Sequence, residues 1–110
     1  MRRRHQESSE QRALIRWARM RSATVPELKL LYAIPNGGKR GRIEAAIMKG
    51  EGVLAGMPDL CLPVPAPERK EWGGDGMFHA LYIEMKTQDG RLTPAQMVMH
   101  GLLRQHRNCV

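Results

Sequence analysis

Aromatic side chains are scarce in this sequence: two Trp, two Tyr and one Phe among 110 residues. That scarcity argues against a reader of unstacked RNA bases, because such proteins stack bases on aromatic rings. Only two cysteines occur, Cys61 and Cys109, and neither sits in a C-x-x-C pair. They exclude a disulfide framework and a thiolate zinc site, and they read as reduced thiols of a cytosolic protein. No apolar run approaches the roughly 20 residues that a membrane-spanning helix needs. Arg2 to Arg4 are not followed by an apolar stretch, so no signal peptide is read and the expectation is a cytoplasmic protein with no membrane partner. Acidic residues are also in deficit, 11 Asp and Glu against 18 Lys and Arg, for a formal charge of +7. Nucleic acid is the usual partner of such an excess, since Lys and Arg displace the counterions condensed on phosphates.

The composition that remains is that of an ordinary globular chain, 42% apolar and 26% charged. Residues 1–110 are read as one domain, with polar, basic residues 1–7 as a flexible arm. From Ser9 to Arg21 the pattern has helical period, with Ala13, Leu14, Trp17 and Ala18 on one face and Arg12, Arg16 and Arg19 on the other. Ser8 and Gln11 have the spacing of a capping box at its start. Pro26 breaks that pattern. Leu28 to Ile34 reads as a strand that ends in the turn Pro35-Asn36-Gly37-Gly38. Gly41 to Met48 reads as a second helix, and Met57 to Val64 as a short strand. Residues 65–77 read as a solvent loop. Ala80 to Lys86 is the clearest strand, followed by a Gln88-Asp89-Gly90 turn. Thr93 as N-cap and Pro94 at the first helical position open a last helix to about His106. Met97 and Met99 on it suit core gaps or a subunit contact. Asn108 to Val110 look like the beginning of a further, very short strand. The order predicts an α/β fold, a mixed central sheet flanked by helices.

The strand over 80–86 carries the chemistry. Side chains alternate along a strand, so Leu81, Ile83 and Met85 face the core while Tyr82, Glu84 and Lys86 share the other face. A carboxylate beside an ammonium suits a hydrolytic metal site: the carboxylate holds a divalent cation, and the lysine orients or deprotonates water or steadies charge on phosphorus. Asp59 follows Pro58 at the start of the preceding strand and can approach Glu84 if the two strands are neighbours. Two converging carboxylates repel unless a cation lies between them. Hard oxygen donors favour Mg²⁺ or Mn²⁺. Plainer readings stand beside these: Asp59 as a turn residue making local backbone bonds, and Glu84 with Lys86 as an exposed charge pair.

The spacing P-D, about twenty-five residues, then E-x-K at a strand end resembles the PD-(D/E)xK nucleases. The segments Ile34-Pro-Asn-Gly-Gly38, Gly56-Met-Pro-Asp-Leu60, Leu81-Tyr-Ile-Glu-Met-Lys86 and Leu92-Thr-Pro-Ala-Gln96 resemble, more closely, the VRR-NUC family, in particular its stand-alone phage and prophage proteins. The name-giving valine-arginine-arginine segment is largely missing. The likeness runs from about Glu7 to the C-terminus and implies a restriction-endonuclease-like core. It further implies a metal-dependent endonuclease acting on DNA, as a homodimer on branched DNA in the manner of Holliday-junction resolvases. By position it makes Asp59 and Glu84 metal ligands and Lys86 the catalytic lysine, and the mechanism drawn from it expects the Met85 carbonyl as a further ligand. It adds Glu7 on the first helix as a fourth ligand, with Glu10 in reserve, and Gln96 near the site. A helix-dipole role for either glutamate, and a capping role for Gln96, are the plainer alternatives.

Asn36, Gly37, Gly38, Lys39, Arg40 and Arg42 are expected to receive DNA phosphates, with Lys49 extending the basic region, though Asn36 to Gly38 would also serve a tight turn. The four histidines show no paired ligand spacing and read as ordinary surface or interior residues. The rival functions are a flap or nicking nuclease of the same chemistry and a non-catalytic basic DNA-binding module. An RNA-associated basic protein is weakened by the few aromatics.

Overall fold

Nothing between Arg2 and Arg21 breaks a helix: there is no Gly or Pro, and Arg, Ala, Leu, Gln and Glu predominate. In the computed structural model of the chain, which describes residues 2–35, 41–74 and 76–110, one helix, α1, spans Arg2–Arg21. Residues 2–7, expected as an arm, are therefore its first turns, and Ser8 and Gln11 lie inside it rather than at its start. A distant contact helps to hold that end, for Glu7 Oε1 accepts a hydrogen bond from the Thr87 N–H at 3.4 Å.

Pro26 opens a 3₁₀ turn over Pro26–Leu30, which its fixed φ favours. The strand expected over 28–34 is consequently cut down to β1, Tyr32–Ala33. Arg19 ties this turn to α1, donating from Nη1 to the carbonyls of Leu28 and Lys29 at 3.3 and 3.1 Å. The second helix, α2, spans Arg42–Gly50, close to its expected place.

Three strands form the central sheet, in the order β1, then β2 (Leu60–Leu62), then β5 (Leu81–Ile83), each pair antiparallel. A parallel bridge joins Leu81 to Cys109, with the Tyr82 N–H donating to the Cys109 carbonyl at 2.7 Å and the Cys109 N–H to the Ala80 carbonyl at 2.9 Å. The named strands are thus antiparallel throughout, and the Cys109 bridge is the one parallel pairing among the described residues. The expected loop over 65–77 instead holds a ribbon of β3 (Ala66–Pro67) and β4 (Met77–Phe78), with a 3₁₀ turn over Lys70–Trp72. Two-residue strands are too short to show a period in sequence.

Ala18, Leu31 and Leu60 form the buried centre, and Leu14, Ile15, Leu28, Leu62, Ile83 and Met85 pack against it. α1 therefore covers the sheet face that carries Leu60 and Ile83. Trp17, expected on that buried face, is 54% exposed. On the other side runs α3, Pro94–Gln105. Its start follows the expectation: the Gln96 N–H donates to Thr93 Oγ1 at 3.2 Å, and the Thr93 N–H donates to Gln96 Oε1 at 2.8 Å. Thr93→Ala is expected to cost about 1 kcal/mol of stability, and Thr93→Ser a few tenths at most, as denaturant midpoints would report.

Candidate active site

The register of the sheet decides which side chains meet. Leu60 pairs with Ile83 and Cys61 with Tyr82. One step further along the same antiparallel register sets Asp59 opposite Glu84. The ladder does not continue there as ordinary backbone pairing. The Met85 N–H donates to Asp59 Oδ2 at 2.8 Å, so a side chain takes the place of a strand carbonyl. The Asp59 carbonyl in turn accepts from the Ile34 N–H at 2.7 Å. Asp59 is thereby fixed between the ends of β1 and β5, and the plain turn-residue reading gives way to a residue held by two neighbouring strands.

Glu84 sits in a poor place for a charge. Burial first, then the hydrogen bond and the negative charge of Asp59, push its carboxyl from 4.5 up to about 8. Glu7 adds to the rise, and only Lys86 opposes it. Its side chain is 10% exposed, and Oε1 lies 3.2 Å from Nε2 of His100, which is 2% exposed. Burial, followed by the charges of Arg104 and Lys86, lowers the His100 pKa. With Glu84 raised and His100 lowered, the contact near neutral pH is a hydrogen bond between uncharged groups rather than an ion pair.

His100 was read from the sequence as an ordinary residue. Its signal was present but faint: it stands four residues after Gln96, on the same face of α3. Nothing local announces that this face looks onto Glu84.

An open cleft of about 1130 Å³ gathers the expected catalytic and metal-ligating residues. Glu7, Asp59, Glu84, Met85, Lys86 and Gln96 all line it. Glu10 does not, and it is exposed. Gln96 combines both of its readings, since it caps α3 and faces the cleft. Arg42 is exposed at the first position of α2 and does not line the cleft. Asn36, Gly37, Gly38, Lys39 and Arg40 lie outside the described residues. Among the described residues, no group of three or more His, Cys, Asp or Glu side chains is gathered at the spacing of a metal shell. The tight nucleus is the Asp59–Glu84 pair.

Gly56 makes the far wall possible. Its φ is +82°, and a Cβ there would come within 2.5 Å of the Ala95 carbonyl oxygen. The Gly56–Asp59 segment can therefore lie directly on the first turn of α3. Gly90 acts similarly for Lys86, as a Cβ at that position would come 3.2 Å from Lys86 Cδ.

A family model described as the VRR-NUC domain matches residues 1–109. No curated protein and no solved structure matches the chain.

Three outcomes follow from this geometry. Gly56→Ala is expected to destabilise by about 1–3 kcal/mol, because the backbone is incompatible and the neighbour is main chain; a chemical denaturation curve measures it. His100→Ala is expected to cost about 1–3 kcal/mol by leaving a buried carboxyl without its partner. The third concerns pH in EDTA. The folded protein holds the Glu84 proton more tightly than the unfolded chain does, so this group's contribution is full below about 4.5 and is lost as pH rises through about 8. Glu84→Gln should therefore gain stability relative to wild type across that window. Parallel stability curves for the two proteins would contradict the assignment.

Proposed function

The chain belongs to the VRR-NUC family, a nuclease domain family acting on DNA, and from that premise we propose that it is a divalent-metal-dependent endonuclease cutting at the Asp59–Glu84–Lys86 cleft. The observation that carries the reading is the pair of opposed carboxylates with a lysine beside them at the floor of an open cleft. The donor set fits a hard cation. Asp59 and Glu84 offer only oxygen; burial, then the hydrogen bond and charge of Asp59, raise Glu84 to about 8, and a positive ion between them would relieve the charge conflict.

Asp59, Glu84 and the Met85 carbonyl would hold Mg²⁺ or Mn²⁺, with Glu7 completing the set directly or through a water. Bound there, the ion supplies Lewis-acid polarisation of the scissile phosphate and lowers the pKa of water. The protein's own groups do the rest. The Met85 N–H holds the Asp59 carboxylate in place. Lys86 orients the attacking water and steadies the charge that develops on the phosphate oxygens. Water adds to phosphorus, the bond to the leaving sugar oxygen breaks, and that oxygen takes up a proton. Gln96, its Oε1 engaged by the Thr93 N–H, presents its remaining amide hydrogens at the cleft edge.

The preferred substrate is a four-way junction, cut by a homodimer that sets two sites on symmetric DNA. Apolar surface for the subunit contact exists in the exposed Trp17, Met20, Ile43, Ile47, Met97 and Val98. Among the described residues no helix is long and apolar enough to cross a membrane. The proposal places the protein in the bacterial cytoplasm, encoded by a phage or prophage, where DNA intermediates of this kind arise.

Purified protein with Mg²⁺ or Mn²⁺ is expected to nick a four-way junction in preference to a linear duplex. Asp59→Ala and Lys86→Ala should each lower the rate by about 10²–10⁴-fold while leaving the circular dichroism spectrum unchanged. Cutting retained in both variants would remove the mechanism. Preference for splayed arms would make it a flap nuclease. Salt-dependent binding without cutting under either ion would leave a DNA-binding module.

A further inference from the structure

We propose that α1 forms the DNA-backbone rail of this cleft, with Arg12 and Arg16 receiving two successive phosphates of the strand to be cut. The inference rests on the nuclease reading for which strand is held, but not for the binding itself.

The helix residues that line the cleft are Glu7, Ser8, Gln11, Arg12, Ile15 and Arg16. They form one continuous stripe along α1. At 3.6 residues per turn, Glu7 and Gln11 fall on one edge of that stripe and Arg12 and Arg16 on the other. Glu7 marks the inner edge, because its carboxylate reaches the Thr87 N–H just beyond Lys86. The two arginines thus stand along the opposite, outer edge. They are one turn apart, about 6 Å along the axis, which lets two cations meet neighbouring phosphates of one strand.

Among the described residues they are uncommitted, unlike three other arginines, and unlike the uncommitted Arg21, Arg42 and Arg91 they line the cleft. Arg19 is committed to the carbonyls of Leu28 and Lys29. Arg107 is committed to Glu68 and the Met77 carbonyl, and Arg104 reaches the Val110 carbonyl. Arg12 and Arg16 are exposed, and neither has a hydrogen-bonding or ionic partner among the described residues. A guanidinium is a planar fork that matches two phosphate oxygens.

The cleft also needs them electrostatically. Glu7 and Asp59 present carboxylates to an incoming polyanion, and among the described residues Lys86 is the one cation on the β5 side of the lining. Two cations at the outer edge offset that repulsion and let the strand lie across the acidic floor. Of the residues expected from sequence to hold phosphate, Arg42 stands off the cleft; the α1 arginines stand in it.

The test is equilibrium binding of a fluorescein-labelled four-way junction and a labelled duplex in EDTA, measured by anisotropy across a KCl series. Arg12→Ala/Arg16→Ala is expected to reduce the slope of log K against log[salt] by roughly 1.8, two phosphate contacts at about 0.9 each. Arg12→Lys/Arg16→Lys should keep most of the slope, since a point charge still displaces a counterion, yet bind more weakly than wild type. Lys29→Ala/Lys70→Ala, removing two exposed lysines outside the cleft, is the matched surface-charge control and should fall short of the double arginine variant. With Mg²⁺ and saturating protein, the double alanine variant should cut bound DNA within about threefold of wild type, because the loss is in binding and not in the chemical step. An unchanged salt slope, or a loss matched by Lys29→Ala/Lys70→Ala, overturns the rail. Failure of the nuclease reading looks different: wild type would show the arginine-dependent slope but no cutting with either ion. Asp59→Ala that binds with full slope and does not cut supports both.

Discussion

A single hydrogen bond, from the Met85 N–H to Asp59 Oδ2, organises the functional end of the sheet. It stops the backbone ladder at Ile83 and puts a carboxylate where a carbonyl would otherwise stand. That substitution fixes Asp59 opposite Glu84 and leaves two acids competing for one small volume. The cost appears as the displaced ionisation of Glu84. The rest of the fold tolerates it because the stabilising contacts lie elsewhere: the Ala18–Leu31–Leu60 centre under α1, and the paired caps of α3. Local conflict at one place, supported by consistency around it, is the arrangement that the proposed catalytic role of this pair calls for.

His100 adds a second restraint on Glu84, from α3. A buried imidazole at 3.2 Å gives the Glu84 carboxyl a partner on its α3 side while Asp59 holds the near side. Glu84 is thus restrained from two directions, and its orientation no longer depends on the weak preferences of an exposed rotamer. A side chain kept in one geometry by its neighbours reaches a productive arrangement without ordering anew at each encounter with substrate.

Much of this was legible in the sequence, and the reasons differ by element. The start of α3 was readable because Thr93, Pro94 and Gln96 act within four residues of one another, and capping chemistry is local. The β5 strand was readable from its alternation, and Asp59 and Glu84 followed once β2 and β5 were taken as neighbours. What escaped was set by distance. Pro26 can begin a 3₁₀ turn as readily as end a helix, so a strand was drawn too long over 28–34. The β3–β4 ribbon pairs two-residue strands and is met by Arg107, which reaches back to Glu68 and the Met77 carbonyl, contacts no local pattern encodes. The first turns of α1 read as a polar arm because no apolar stripe marks them. Arg12 and Arg16 were correctly placed off the buried face, but periodicity says only that a face is polar. It does not say whether that face looks at open solvent or across a cleft.

The contact of Gly56 with the first turn of α3 also sets the mechanics of the cleft. Main chain lies on main chain there, with no side chain between to bend, so that jaw is stiff. The opposite jaw is built differently: Leu14 is the first α1 residue in the apolar cluster, and the turns before it overhang like a cantilever whose tip is stayed through Glu7. The two walls are therefore moored unequally, one by main chain laid on main chain and the other, among the described residues, by a carboxylate at its tip and apolar contacts that begin about two turns later.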